Sequence, residues 1–428
     1  MKRVAFPFGK ESVVADLPDN TLVVYSGIPQ GVGREEAERL VRASIDRPYA
    51  APKLQELLRG RRKVAILITD KTRATPNELL LKAFLELAHA CGIAKEQVEI
   101  VVATGLHEPH SAKEIEELVG KEIASEYTVY SHNSDDDAML EYLGRTSFGT
   151  EVYVNRSVAR ADLVVGLGLI EPHFFAGYSG GRKLVLPGIA GTKSVYQNHG
   201  FRMLAHPKAD YGYLEGNPVH EDMVEAARML GNFRFIVHVV LDKEKRVVDA
   251  IAGDPYAAHI EGVRRLDAYV KVPVPYEADV AIVTNGGYPL DRNLYQAVKG
   301  MVTGSRVARR GGVVILLSEC RDGVGHESFR ELASLSRDPA KILDYIRESE
   351  PLRDQWEVQK LEQVLMKNKV IMVTRGVKDS VLEEMNLIPA SSIEEALEIA
   401  KGLTPLERVI AVPEGPYVIP YVSGATGC

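Results

Sequence analysis

Two α/β domains with largely parallel sheets, meeting at a cleft that holds the active site, are the fold this sequence predicts. Three observations carry the prediction. Short apolar runs alternate with helical patterns in both halves of the chain, as in repeated strand–helix units. The length, 428 residues, exceeds what one hydrophobic core usually supports. Val272-Pro-Val-Pro-Tyr-Glu interrupts helix and sheet alike between the halves. The expected division is a first domain over 1–272, a second over 273–410, and a tail over 411–428 returning to the first. The junction near 272–277 is expected to act as a hinge.

Taken in order, Arg3-Val-Ala-Phe, Ser12-Val-Val-Ala and Thr21-Leu-Val-Val-Tyr read as a small antiparallel meander. Helical patterns follow at 34–47 and 51–59. Val64-Ala-Ile-Leu-Ile-Thr is a buried strand. Thr75-Pro-Asn-Glu then opens a helix, with Thr75 as N-cap, Pro76 at the first helical position and Glu78 closing a capping box. The loop between them, Asp70-Lys-Thr-Arg73, lies between a strand end and a helix start, a natural anion site. The unit repeats: strand Gln97 to Ala103, loop Thr104-Gly-Leu-His-Glu-Pro-His, then a helix from Ser111 with Glu114 as its box partner. Ala161-Asp-Leu-Val-Val-Gly-Leu-Gly-Leu-Ile reads as another buried strand. A hairpin is expected over 233–251, and a helix over 256–270. Beyond the boundary come strands at 279–285, 313–317, 369–374 and 408–412, with helices between them.

Apolar residues make up 45% of the chain and charged ones 26%, as in soluble globular proteins. The net charge of −7 argues against nucleic-acid binding through bulk charge. Cys91, Cys320 and Cys428 form no paired motif, which fits a reducing compartment. No apolar run suggests a signal peptide or a membrane span. We expect a cytoplasmic protein with no membrane partner. Nothing in the sequence sets an oligomeric state.

The chemistry concentrates in Glu171-Pro-His-Phe-Phe-Ala-Gly-Tyr-Ser-Gly-Gly-Arg-Lys, continuing to Asn198-His199. The stretch follows a buried strand, where open α/β sheets keep ligands. Arg73, His107, His173 and Asn285 all stand just beyond expected strands. His110 makes an HxxH with His107, but Pro109 argues against a helical metal face. Gly177-Tyr-Ser-Gly-Gly-Arg-Lys lacks the Ser or Thr after lysine that a P-loop needs. Its amides could still receive a phosphate, and a desolvated Lys183 could be a covalent attachment point. Gln296 and Lys299 share one helix face.

With Asp70-Lys-Thr-Arg73, Thr104-Gly-Leu-His107, Pro172-His173, Gly180-Gly-Arg-Lys183, Asn198-His199 and Tyr295-Gln-Ala-Val-Lys299, the sequence resembles the nickel-dependent lactate racemase family over nearly its full length. The resemblance implies a nickel pincer cofactor, a pyridinium-3,5-bisthiocarboxylic acid mononucleotide, joined to Lys183 through a thioamide. It implies His199 as the nickel ligand and His107 and His173 as catalytic acid/bases. It also implies that Asp70, Lys71, Thr72, Arg73, Gln296 and Lys299 line cofactor and substrate, Arg73, Tyr295 and Lys299 on the substrate side. Trp356 would support His173. The implied activity is racemisation of a small 2-hydroxy acid by hydride transfer, in partnership with cofactor maturation enzymes. Leu169, Ile170, Phe174 and Phe175 around His173 favour a small or apolar substrate. The rival readings are a racemase or epimerase of a larger hydroxy acid or sugar acid, a cofactor- or ligand-binding protein without turnover, and a zinc hydrolase.

Overall fold

The computed structural model describes residues 1–423, so the last five residues of the expected tail lie outside it. Two six-stranded sheets organise the chain. In the first, the order is Val247–Gly253, Phe233–Leu241, Leu163–Leu169, Val64–Thr69, Val98–Ala103 and Thr128–Ser131. Its pairings are parallel except for the edge hairpin of the first two strands. The second runs Ile388–Ala390, Lys369–Val373, Ala308–Leu317, Ala278–Thr284, Val409–Val412 and Leu22–Val23, parallel throughout. Helices cover both faces, so the central strands are apolar on both sides: all seven residues of Leu163–Leu169 and of Ala278–Thr284 are buried. The fold class is as the sequence predicts.

Four details correct the sequence reading. Lys2–Phe8 and Glu11–Leu17 pair as a hairpin, but Leu22–Val23 does not extend it; that strand is the edge of the second sheet. The hairpin buries Val4, Phe6, Phe8, Ala15 and Leu17 against Val280, Ile282, Ile315 and Ile371. The first 23 residues therefore pack with the second half of the chain, because a two-stranded hairpin must cover its apolar face with another layer. Lys271–Val274, expected as a break, is a strand parallel to Ile419–Val422. Its Pro273 is exposed at the edge of a two-stranded ribbon, where a missing N–H costs little. Finally, the helix after Thr75 is Asn77–Ala90, capped by Pro76 with no side-chain bond. Glu78 instead pairs with Lys82 at 2.7 Å, and Thr75 receives the Thr69 hydroxyl at 2.7 Å. The box expected at Ser111 and Glu114 does form.

The two halves meet along helix Gln355–Leu365. Its Gln359 and Gln363 amides donate to the carbonyls of Phe201 (3.0 Å) and Leu204 (3.2 Å), and Lys360 donates to that of Ala209 (2.6 Å). No helix among the described residues is long and apolar enough to cross a membrane.

Candidate active site

The carboxyl ends of three neighbouring strands of the first sheet open onto one cavity, the position expected for an open parallel sheet. Val64–Thr69 delivers Asp70, Thr72 and Arg73; Val98–Ala103 delivers Thr104 and His107; Leu163–Leu169 delivers the stretch containing His173 and Lys183. His199 follows helix Thr192–Asn198. The second half of the chain closes the cavity with Tyr295, Gln296 and Lys299 from helix Leu294–Val307, and with His326, Arg353, Asp354, Trp356 and Glu357.

The two histidines read as acid/bases have opposite settings. His107 Nδ1 lies 2.6 Å from Asp70 Oδ2. Burial pushes the Asp70 carboxyl up, but the His107 bond and charge, the Thr72 hydroxyl and the Arg73 guanidinium outweigh it and hold it below its ordinary value. An ionised Asp70 accepts the Nδ1 proton and leaves a lone pair on Nε2 of a neutral His107. His173 is buried. Its Nδ1 accepts from the backbone N–H groups of Ala176 (3.3 Å) and Phe175 (3.5 Å), so a neutral ring carries its proton on Nε2. Burial, then the charges of Lys183, Arg73, Lys299 and Arg182, push His173 well below the ordinary histidine value.

Lys183 sits with its ammonium 5.5 Å from the Phe175 ring centre. Burial, with Arg182, Arg73 and Lys299 adding to it, lowers its pKa well below that of a free lysine. That favours the neutral, nucleophilic amine. His199 is lowered by burial and by Lys183. Its ring is wedged edge-on between Phe175 (5.0 Å) and Trp356 (5.6 Å), and its Nδ1 has no hydrogen-bond partner among the described residues. Arg73 pairs with Glu171 at 2.6 Å. Lys299 bonds Gln296 and lies 5.8 Å from the Phe174 ring centre. Burial and Arg73 lower Lys299, while Glu357, Glu171 and Asp70 oppose that. Burial raises the Glu357 carboxyl.

Most of the expected residues therefore converge, and several do not. Lys71 leaves the cavity: its ammonium pairs with Glu114 at the surface. Trp356 packs on His199, not on His173, and its indole N–H donates to the Tyr295 hydroxyl at 3.0 Å. The rings against His173 are Phe174 and Phe175. Asn285 is spent on the backbone of Leu290, Gln296 and Gly300. His110 takes the Lys71 N–H and bonds Ser131, a structural position. Ile170 packs away from the cavity, against Gly262. In the glycine loop the Gly181 N–H is already spent, donating to His238 Nε2 at 2.7 Å. Gly180 has φ +79°, and a Cβ there would stand 2.6 Å from the Leu169 carbonyl. Arg182 and Lys183 part company: Arg182 turns inward and donates to the carbonyls of Ala176 (2.8 Å), Tyr178 (2.7 Å) and Gly180 (3.0 Å).

His326, Asp354, Arg353 and Glu357 were not foreseen. The available signals were the placement of His326 at the start of an expected helix and the proximity of Asp354 and Glu357 to Trp356. Among the described residues no group of three His, Cys, Asp or Glu could hold a metal ion, which removes the support for a zinc hydrolase.

Fold and site together describe an α/β protein in which four histidines, among the described residues, line one cavity formed by both halves of the chain. A family model for the lactate racemase N-terminal domain matches residues 8–212, and one for the lactate racemase C-terminal domain matches residues 274–419. The lactate racemase of Thermoanaerobacterium thermosaccharolyticum is 35% identical, over 98% of this chain and 99% of that protein. The lactate racemase of Lactiplantibacillus plantarum is also 35% identical, over 98% and 100%. The solved lactate racemase apoprotein from T. thermosaccharolyticum superimposes with a TM-score of 0.93, covering 98% of this chain and 100% of that one. A Thermotoga maritima protein at 18% identity shares the fold, with a TM-score of 0.69 over 93% of this chain and 100% of that one. The chain belongs to the lactate racemase family, and it is a racemase.

Proposed function

We propose that the protein interconverts the enantiomers of a small 2-hydroxy acid, lactate first, using a nickel pincer nucleotide joined to Lys183. The convergence of His107, His173, Lys183 and His199 on one cavity carries this reading. The residues fit the group. Lys183 is a buried amine of lowered basicity, suited to an acyl-type linkage. His199 offers an imidazole with an unpartnered nitrogen, and neutral imidazole suits nickel. Among the described residues there is no complete ligand set, so a metal held by them needs ligands from an organic cofactor. When bound, that cofactor would take the α-hydrogen as hydride and return it to either face.

The chain's own groups then have distinct tasks. Arg73 and Lys299 hold the substrate carboxylate. His107, with its Nε2 lone pair, takes the hydroxyl proton from one enantiomer. His173, with its Nε2–H, hydrogen-bonds the same oxygen, and it serves the opposite enantiomer as base in the tautomer that carries its proton on Nδ1, in which the backbone contacts at Nδ1 are given up. Phe174, Phe175 and Leu169 exclude water and keep the pocket small.

Protein made with the cofactor maturation enzymes is expected to show a mass adduct on Lys183, about one nickel per chain, and conversion of D-lactate to L-lactate. Lys183→Ala should show no adduct and no conversion. A loaded protein that racemises no 2-hydroxy acid would overturn the proposal.

A further inference from the structure

The cavity contains a second histidine–carboxylate pair that the proposed reaction leaves unused. His326 Nδ1 lies 3.0 Å from Asp354 Oδ2, and the Ser328 hydroxyl donates to the same oxygen at 2.5 Å. The arrangement parallels His107–Asp70, where a hydroxyl, that of Thr72, also steadies the carboxylate. Of the four histidines lining the cavity among the described residues, His326 alone comes from the second half of the chain.

The pair is built with care. Asp354 is 2% exposed and has φ 63°, a left-handed conformation that Asp adopts more readily than most non-glycine residues. Burial pushes its carboxyl up, but the bonds from His326 and Ser328 and the charges of His326 and Arg353 hold it below its ordinary value. The His326 ring is tilted against Tyr295 with 4.5 Å between centres. Behind it, Tyr295 is pinned by the Trp356 N–H. Even so, the His326 side chain is 45% exposed. A half-exposed imidazole gains little stability from such an ion pair. With Nδ1–H turned to Asp354, a neutral ring presents its Nε2 lone pair, a hydrogen-bond acceptor.

We propose that His326 is a specificity-determining residue, whose Nε2 accepts a hydrogen bond from a hydroxyl on the third carbon of a 2-hydroxy acid. This rests on the reading of the chain as a 2-hydroxy acid racemase. Carboxylate, hydroxyl and α-hydrogen already have partners in Arg73, Lys299, His107, His173 and the cofactor. His326 is an acceptor of the cavity oriented by its own carboxylate and not used by those steps, and it suits a 2,3-dihydroxy acid such as glycerate. A substrate without that hydroxyl leaves His326 to water and is tolerated, since the ring is half exposed.

The test compares glycerate with lactate. In loaded wild-type enzyme, kcat/KM should favour glycerate by about tenfold. His326→Ala should abolish that preference while lactate turnover changes less than about threefold, and His326→Gln, which keeps an acceptor, should restore part of it. Trp356, the one tryptophan, lines the cavity and gives a second readout. In cofactor-free protein its fluorescence should report weaker glycerate binding in His326→Ala, with lactate binding unchanged. An unaltered substrate ratio in His326→Ala overturns the inference. So does a fall of about a hundredfold or more for both acids, which would make His326 an acid/base residue. If loaded wild-type enzyme racemises neither acid, the underlying reading fails; the fluorescence titration then decides the role of His326, and equal effects on both ligands overturn it.

Discussion

His107 and His173 are one side chain in two opposite settings, and the difference lies in what each Nδ1 touches. Replacing the carboxylate behind His107 should show it. In Asp70→Asn the amide can donate to Nδ1 and so reverse which ring nitrogen carries the proton. The racemisation rate should fall about 10²-fold or more, with lactate binding, read from Trp356 fluorescence, nearly intact. Equal loss of binding and rate would mean that Asp70 acts on the substrate directly. Position after a strand was enough to find Arg73, His107 and His173. The same signal also selected Asn285, whose side chain bonds the backbone instead, because strand position does not tell which way a polar group turns. His326 and Asp354 were not legible for a related reason. They come from loops far past a strand end, and only the tertiary fold brings them to the cavity.

Helix Gln355–Leu365 shows what pattern reading misses at the scale of an element. Its Gln355, Glu357, Gln359, Lys360 and Glu362 are all buried, although a helix this polar reads as solvent-facing. It is buried because it docks on carbonyls of the other half of the chain. Glu362 makes the cost measurable. Neither of its oxygens has a hydrogen-bond partner among the described residues, and burial raises it to about 8. The folded protein thus holds a proton there that the unfolded chain gives up above its ordinary value of 4.5. The stability from that proton is complete below 4.5 and is lost as pH rises through about 8. Glu362→Gln should be the more stable protein at pH 8, on the order of 2 kcal/mol, with the advantage vanishing towards pH 4.5. Thermal unfolding across that range checks it; parallel curves for the two proteins would sink it.

At the scale of the molecule, the alternation of strands and helices was legible because buried parallel strands are apolar without interruption and their helices carry clear starts. The chain's crossing back was not. The hairpin Lys2–Phe8 and Glu11–Leu17 has no local signal naming the sheet it covers; only the uncovered face of Val280, Ile282, Ile315 and Ile371 does. Deleting residues 2–17 should therefore loosen the second sheet and spare the first. At about 2 kcal/mol for each large apolar side chain withdrawn, the loss exceeds roughly 5 kcal/mol. Hydrogen exchange should quicken in Ala278–Thr284 and Ala308–Leu317 and stay slow in Val64–Thr69. Uniform acceleration in both sheets would contradict this.

Arg182, clamped to three carbonyls of its own loop, has a consequence for ligand capture. A loop stiffened by an internal cation has already surrendered its disorder before any ligand arrives. If Lys183 takes the proposed cofactor, the free energy of forming that bond would then not be consumed in ordering the chain around it. The neighbouring residue acts as a mould that is set in advance, and the lysine contributes only the last few rotatable bonds.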